Sequence, residues 1–462
     1  MSFLFKYKLL ALIAVTFQLS SLFPHSVSAA GSSGVIIASG PDYEALSGSV
    51  VDSAGNTYSA IQFKKSFKIG STSFVNPIPL NTAIAVIKIS NIGKILWSSP
   101  IASSSGPTGW TGFNEKSQLI IDENGNIGAV FMFENNMNFA GKNYLKSWNY
   151  LSDYGGQFEF LIVQIDGKDG SVLRTQFLGE EEVAPVGAYG GNSYFLMTKN
   201  QYRVAAHEWC EIGSRVVSID ATGTLKEVFS SNRASSEYVN IADAKLNNKG
   251  ELLLLAQRRD GVVQAKEWSC DEGPYYFLKY EIASQKLLSS TNVFRDSSGG
   301  RLSAEILDTS QTGKILVCNS PFVEGAPSVM QISLVDVDGR MLWTKNADVY
   351  ESSADSCMSA VFDNQENIKA ILTYPMKTFF GKKVAPENRL IVAKIAIDGS
   401  LRELKTIGSG KYISVGTSIS RDPSGSAFSV TGSFQGSLSI AGKRVAVTNN
   451  RTDSFLYKLP RS

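Results

Sequence analysis

The chain has 462 residues, 43% of them hydrophobic, with 44 Lys and Arg against 42 Asp and Glu. A charge so near balance gives no overall electrostatic footprint for nucleic acid or an anionic membrane. The 40 glycines, dispersed among Ser, Asn and Asp, point to many turns, and 10% aromatic residues leave ample material for a core.

Residues 1–30 have the layout of a secretory signal: Lys6 and Lys8, an apolar run from Leu9 to about Phe23, and small residues as far as Ala29 and Ala30. The run is interrupted by Thr16, Gln18, Ser20 and Ser21, and no later stretch reaches ~18 apolar residues. The expectation is an exported protein, periplasmic, extracellular or at the cell surface, with no transmembrane segment in the mature chain. No cysteine near the cleavage site offers a lipid anchor. Loss of Lys6 and Lys8 with the leader balances the charges at 42 each. Residues 31–462 then form one domain.

The mature part opens with "GVIIASG", Gly34 to Gly40, a β-branched strand with no local partner. A strand–turn–strand piece follows, "SVVDSAGNTYSAI" from Ser49, and recurs from Leu119, Gly187, Ala244, Glu305, Ser359 and Ser418. Its Asp or Asn bonds the local backbone and its Gly supplies positive φ, as tight connections require. After each comes a second hairpin-like piece, "AIAVIKISNIGKILW" from Ala83, with counterparts from Glu159, Ser214, Tyr275, Met330 and Leu390. The seventh, "SFLYKLPRS" from Ser454, has only its first strand. Such spacing predicts an all-β fold, a single β-propeller of seven four-stranded blades. Val35 to Ser39 is expected to supply the outermost strand of the last blade and close the ring.

Asp422 to Leu459, "DPSGSAFSVTGSFQGSLSIAGKRVAVTNNRTDSFLYKL", resembles the SBBP-type bacterial β-propeller repeat. The shared features are an Asp-x-x-Gly turn, a "TGSF" strand, a Gly-rich hairpin and a "D-x-F-x-x-K-L" strand. "FKIGSTSF", "FAGKN" and "FFGKK" continue the likeness in blades one, two and six, while blades three to five have drifted. The resemblance implies a secreted or surface propeller and no particular chemistry. "GKILW" at Gly93 and "GRMLW" at Gly339 are similar to quinoprotein-type repeats, where these letters mark a packing position.

Catalytic signatures are sparse. His207 is the one histidine left after the leader, and no nucleophile elbow, zincin motif or phosphate loop is present. No catalytic residue, metal or cofactor is expected. Asp166, Asp169, Asp336 and Asp338 lie in Asp-Gly turns that do not complete a calcium loop, and a turn role suffices for them. Even-numbered cysteines in an oxidising compartment favour disulfides, with Cys210–Cys270 and Cys318–Cys357 the expected pairs.

In propeller topology the second-to-third connections and the crossings share one face, and there this chain spends its extra residues. Trp110 lies in one crossing, and Trp148, Tyr150 and Tyr154 lie in the long insertion of blade two. "HEWC" and "KEWSC" place Glu208, Trp209 and Glu267, Trp268 each 17 and 18 residues after Gly191 and Gly250. Those aromatics either cover blade edges or form a patch of rings and carboxylates that binds glycan or protein. The expected function is thus a binding or adhesion module. An exported carbohydrate-active hydrolase or lyase with carboxylates at the channel mouth, and a structural surface protein, are the alternatives. The sequence does not specify an oligomeric state.

Overall fold

A computed structural model describes residues 34–104, 111–112, 119–145, 158–179, 181–201, 210–231, 238–258, 275–294, 302–321, 329–349, 357–372, 376–384, 389–413, 418–445 and 452–460. Its named elements are all β-strands. Among the described residues hydrogen bonds join them into sheets of 11, 7, 6, 5, 4 and 4 strands. No helix among these residues is long and apolar enough to cross a membrane.

One antiparallel meander recurs within the sheets, and each occurrence is here called a unit. In unit one Glu44–Val51 pairs with Thr57–Lys64, which pairs with Thr82–Ile89, which pairs with Ile95–Ser98. Unit two runs Leu119–Ile121, Ile127–Phe133, Glu159–Ile165, Val172–Gly179, and unit three runs Glu182–Tyr189, Asn192–Gln201, Cys210–Ile219, Leu225–Ser230. Units four and five follow as Tyr238–Leu246, Glu251–Arg258, Tyr275–Glu281, Lys286–Phe294 and as Leu302–Thr309, Ile315–Pro321, Val329–Val335, Met341–Val349. Unit six is Ser359–Phe362, Ile368–Leu372, Arg389–Ile395, Leu401–Ile413. In the last unit Ser418–Arg421 pairs with Phe428–Ile440 and that strand with Thr452–Leu459, whose free side takes Val35–Ser39 in the register Val35 to Tyr457, Ala38 to Ser454.

Burial explains the strand sequences. Middle strands such as Ile127–Phe133 and Ile368–Leu372 are buried on both faces and read as nearly continuous apolar runs. Outer strands such as Val172–Gly179 are only half-buried and mix Arg, Thr and Gln with apolar residues. Every apolar cluster among the described residues lies between two consecutive units. Tyr58, Val86 and Trp97 meet Phe131 and Val163 between units one and two, and Leu316, Met330 and Ile332 meet Phe362 and Ala393 between units five and six. The cluster holding Ala38 and Leu456 with Leu46, Ile61 and Phe63 lies between the last unit and the first. First strands likewise pack beside first strands, in chain order, with Ser418–Arg421 against Glu44–Val51.

The turns do what their sequences require. Asp122 Oδ1 accepts bonds from the amides of Asn124 and Asn126, both at 2.8 Å, and Gly125 takes φ 82°. Asp166, Asp169 and Asp336 accept backbone amides of Lys168, Ser171 and Asp338 at 2.7, 2.8 and 2.9 Å, so their carboxylates are used within their own turns. Asp338 is exposed and 3.8 Å from Arg340. Among the described residues no group of three His, Cys, Asp or Glu is placed to hold a metal.

Cys318 and Cys357 form a disulfide, with Cα atoms 5.9 Å apart and a sequence separation of 39. Cys318 sits in the middle of Ile315–Pro321 and Cys357 just ahead of Ser359–Phe362, so the bond staples unit five to unit six. Replacing both cysteines by Ala is expected to lower stability by about 3 to 4 kcal/mol, the range for closing a loop of this length. Denaturant midpoints of the oxidised, reduced and double-Ala proteins check this, and three coincident curves would refute it. Cys210 opens its strand, and Cys270 lies outside the described residues.

Candidate functional site

The second-to-third connections described in units one, two, six and seven share one construction. In two of them the chain leaves strand two through a left-handed residue, Lys65 (φ 55°) or Asn135 (φ 60°), and in the last unit Gly436 (φ 79°) takes that conformation within Phe428–Ile440. A short strand and a tight turn follow each time. Ala140–Gly141, Phe380–Gly381 and Ala441–Gly442 have positive φ at both positions, as in type I′ hairpins. The first leg of the hairpin then pairs with the outer edge of the preceding unit, not with its own: with the outer strand in three cases and, for the second hairpin, with the short strand Ala102–Ser104, which follows Ile95–Ser98 and pairs with Thr82–Ile89. Ile69 pairs with Ala38, Asn138 with Ser103, Phe379 with Ala347, and Ile440 with Gly408. The receiving residues are small because the backbones lie close. A Cβ at Gly408 or Gly410 would come within 3.0 Å of a carbonyl oxygen.

Each hairpin has two faces. Phe67, Ile69 and Phe74, then Met137 and Phe139, Phe379, and finally Leu438 and Ile440 point inward and are buried. Exposed residues include Lys68, Asn138, Lys142, Asn143, Lys382, Lys383 and Arg444. Within the hairpins themselves, residues 66–75, 137–144, 376–384 and 437–445, there is no acid at all.

Beside the second hairpin lies a cleft of about 330 Å³, bounded by Pro77 and Ile101 on one side and by Asn138, Phe139, Lys142 and Asn143 on the other. Its walls are fixed by buried amides. Asn76 Nδ2 donates to Asn81 O at 2.8 Å, Asn76 Oδ1 accepts from Ile78 N and Ser103 Oγ at 2.9 Å, and Asn81 Nδ2 donates to Ser104 O at 2.8 Å. The hairpin is held from behind by Tyr144, whose hydroxyl is 2.7 Å from Thr175 Oγ1. A second cleft, about 240 Å³ between units two and three, is bridged by Arg174, which donates to the carbonyls of Asp220 (3.2 Å) and Ala221.

Arg174 exemplifies a packing device that sequence reading located only in part. In several units an outer-strand side chain covers the third-to-fourth turn of the next. Trp97 Nε1 donates to Gly167 O at 3.1 Å, and a Cβ on Gly170 would lie 2.6 Å from its ring. Trp343 Nε1 donates to Ile397 O at 2.9 Å above Gly399, and Thr291 covers Gly339. Ile36 lies over Gly93, where a Cβ would come within 3.3 Å. Both tryptophans of "GKILW" and "GRMLW" are therefore packing residues.

Two buried ionisable groups, Glu44 and Lys458, lie where the last unit meets the first. Glu44 is fully buried under Gly40, and burial, then the neighbouring Asp453, push its carboxyl up to about 8. Ser454 Oγ donates to Glu44 O and accepts from Leu46 N, both at 2.8 Å. Lys458 Nζ donates to Gly55 O and Ser90 O at 2.8 Å, and burial draws it down to about 8 against the pull of Asp52.

Trp110, Trp148, Tyr150, Tyr154, Glu208, Trp209, Glu267 and Trp268 all lie outside the described residues. Thr111–Gly112, directly after Trp110, pairs with Phe133 and Met132 at the end of the second strand of unit two. The hairpin cleft was not anticipated from sequence, although "NFAGKN" and "VNPIPL" each carry a turn signal.

No family model matches the chain, and no curated protein matches it. Among solved structures, the Dos1 propeller aligns over 94% of this chain and 97% of its own, with TM-score 0.43 and 9% identity. A protein of unknown function from Dyadobacter fermentans aligns over 74% and 93%, with TM-score 0.42 and 10% identity. Pyrococcus horikoshii acylaminoacyl peptidase aligns over 72% of this chain and 46% of its own, with TM-score 0.38 and 13% identity. Likeness at this level carries no functional argument.

Proposed function

We propose that the chain is an exported seven-bladed β-propeller of the SBBP type, closed by its N-terminal strand, and that it serves as a non-catalytic binding module for glycan or protein. The carrying observation is the packing of Ile36 over Gly93, which repeats between the last unit and the first what Trp97, Trp343 and Thr291 do between consecutive units. Supporting it are the apolar cluster around Ala38 and Leu456 and the antiparallel pairing of Val35–Ser39 with Thr452–Leu459. A ring of this kind is a rigid platform whose connections are free to diversify. The turns carry short Asp-Gly motifs, while the second-to-third connections carry the hairpins, the cleft and the repeated acid–tryptophan pairs.

The test is a glycan array together with capture from the native envelope fraction, using wild-type protein and a Trp209→Ala/Trp268→Ala variant. Retained melting temperature with at least tenfold weaker binding is the expected result. A sharp fall in melting temperature, with binding lost only through unfolding, assigns the rings to edge packing. Depolymerisation of a polysaccharide would move the protein to the hydrolase or lyase alternative.

A further inference from the structure

We propose that the cleft between the second hairpin and the pair Pro77 and Ile101 seats one acidic sugar of an anionic polysaccharide, and that the chain of that polymer runs along the basic hairpins beside it. The inference rests on the reading of the protein as a propeller-based binding module, because the ring places the hairpins of units six, seven, one and two in succession. The cleft's dimensions and lining carry the argument. About 330 Å³ accommodates one sugar ring. Pro77 and Ile101 present aliphatic surface of the kind that a sugar's C–H face covers, and the amides of Asn138 and Asn143 both donate and accept, matching paired hydroxyls. Lys142 adds a flexible ammonium at the rim, suited to a carboxylate or sulfate.

The walls are set before any ligand arrives, since the Asn76–Asn81–Ser103–Ser104 network fixes one side and Tyr144–Thr175 the other. Preorganised polar groups of this kind bind without a large ordering cost. Beyond the cleft, Lys68, Lys382, Lys383 and Arg444 are exposed on the neighbouring hairpins, and among the described residues none of them is in an ion pair with an acid. Amide and aliphatic walls favour a glycan over a nucleic acid, whose single-stranded bases call for aromatic platforms.

Affinity electrophoresis of the mature protein through gels containing polygalacturonate, a neutral dextran or duplex DNA tests the proposal. Retardation by polygalacturonate alone is expected, weakening as salt is raised. Lys142→Glu should weaken it at least tenfold and Asn138→Ala/Asn143→Ala about fivefold, whereas Lys249→Glu, an equal charge change on an exposed first-to-second turn, should leave it unchanged. Each variant's melting temperature is expected to match wild type, since Lys142, Asn138 and Asn143 are all exposed. Equal losses in Lys142→Glu and Lys249→Glu, or equal retardation by DNA, would mean charge without a seat and overturn the proposal. Binding of a neutral glycan or a protein on the array, without polygalacturonate retardation, overturns the cleft assignment and leaves the binding-module reading standing. Failure in every format sinks both.

Discussion

Deleting residues 31–40 is expected to lower stability by about 5 kcal/mol and to reduce the cooperativity of unfolding. Val35, Ile36 and Ile37 are partly buried and Ala38 fully so, and their removal also uncovers the side chains they cover around Leu456 and Ile69. Burial of a full aliphatic side chain contributes roughly 1.5 to 3 kcal/mol, so several half-buried ones plus their uncovered partners reach this magnitude. Thr452–Leu459 would become an unpaired edge, with open amides and carbonyls inviting association between chains. The first hairpin would lose its receiving strand as well, because Ala38 and Ser39 pair with Ile69 and Lys68. Amide exchange should therefore accelerate at Ser454–Tyr457 and at Lys68–Ile69 together, far from each other in sequence. A truncated protein with an unchanged melting curve and unchanged exchange at both places would refute closure by this strand.

What could be read from sequence follows from the range of the interactions involved. The turns were legible because Asp122, Gly125 and Asn126 act on each other across four residues. Unit three was harder, since its first turn replaces the Asp-Gly chemistry with Gly190 and Gly191 at φ 58° and 77°, leaving spacing as the one signal. The alternation in Thr57–Lys64 and its neighbours fixed strand type but not the partner of each hairpin. Nothing local in "FKIGSTSF" says that Ile69 pairs with Ala38, 31 positions earlier, or that "NFAGKN" docks on Ser103. The role of Trp97 was half legible, because the letters marked a packing position while the covered glycine lies in another unit. The cleft was invisible for the same reason, its two walls belonging to different repeats.

Replacing Glu44 by Gln is expected to stabilise the protein by about 4 kcal/mol at pH 8 and to have no effect below pH 4.5. The carboxyl has an ordinary value of 4.5 and is pushed up to about 8 by burial and then by Asp453, with amides near Asp42 and Gly40 pulling the other way. Between those two values the folded protein holds a proton that the unfolded chain releases. Stability from this group is therefore complete below 4.5 and drains away as pH rises to 8, at about 1.4 kcal/mol per unit. An amide keeps the shape, carries no charge at any pH, and can donate to Asp453. Lys458 acts with the opposite slope. Its ammonium is drawn from 10.5 to about 8 by burial, so stability rises as the unfolded chain, but not the folded one, keeps its proton between pH 8 and 10.5. The summed contribution of these two groups, both within the joint between the last unit and the first, should thus pass through a minimum near pH 8. In the Gln variant the falling limb should flatten while the rising limb survives. Urea midpoints at pH 5, 6.5, 8 and 9.5 measure this, and parallel curves for the two proteins would show that Glu44 does not hold its proton in the folded state.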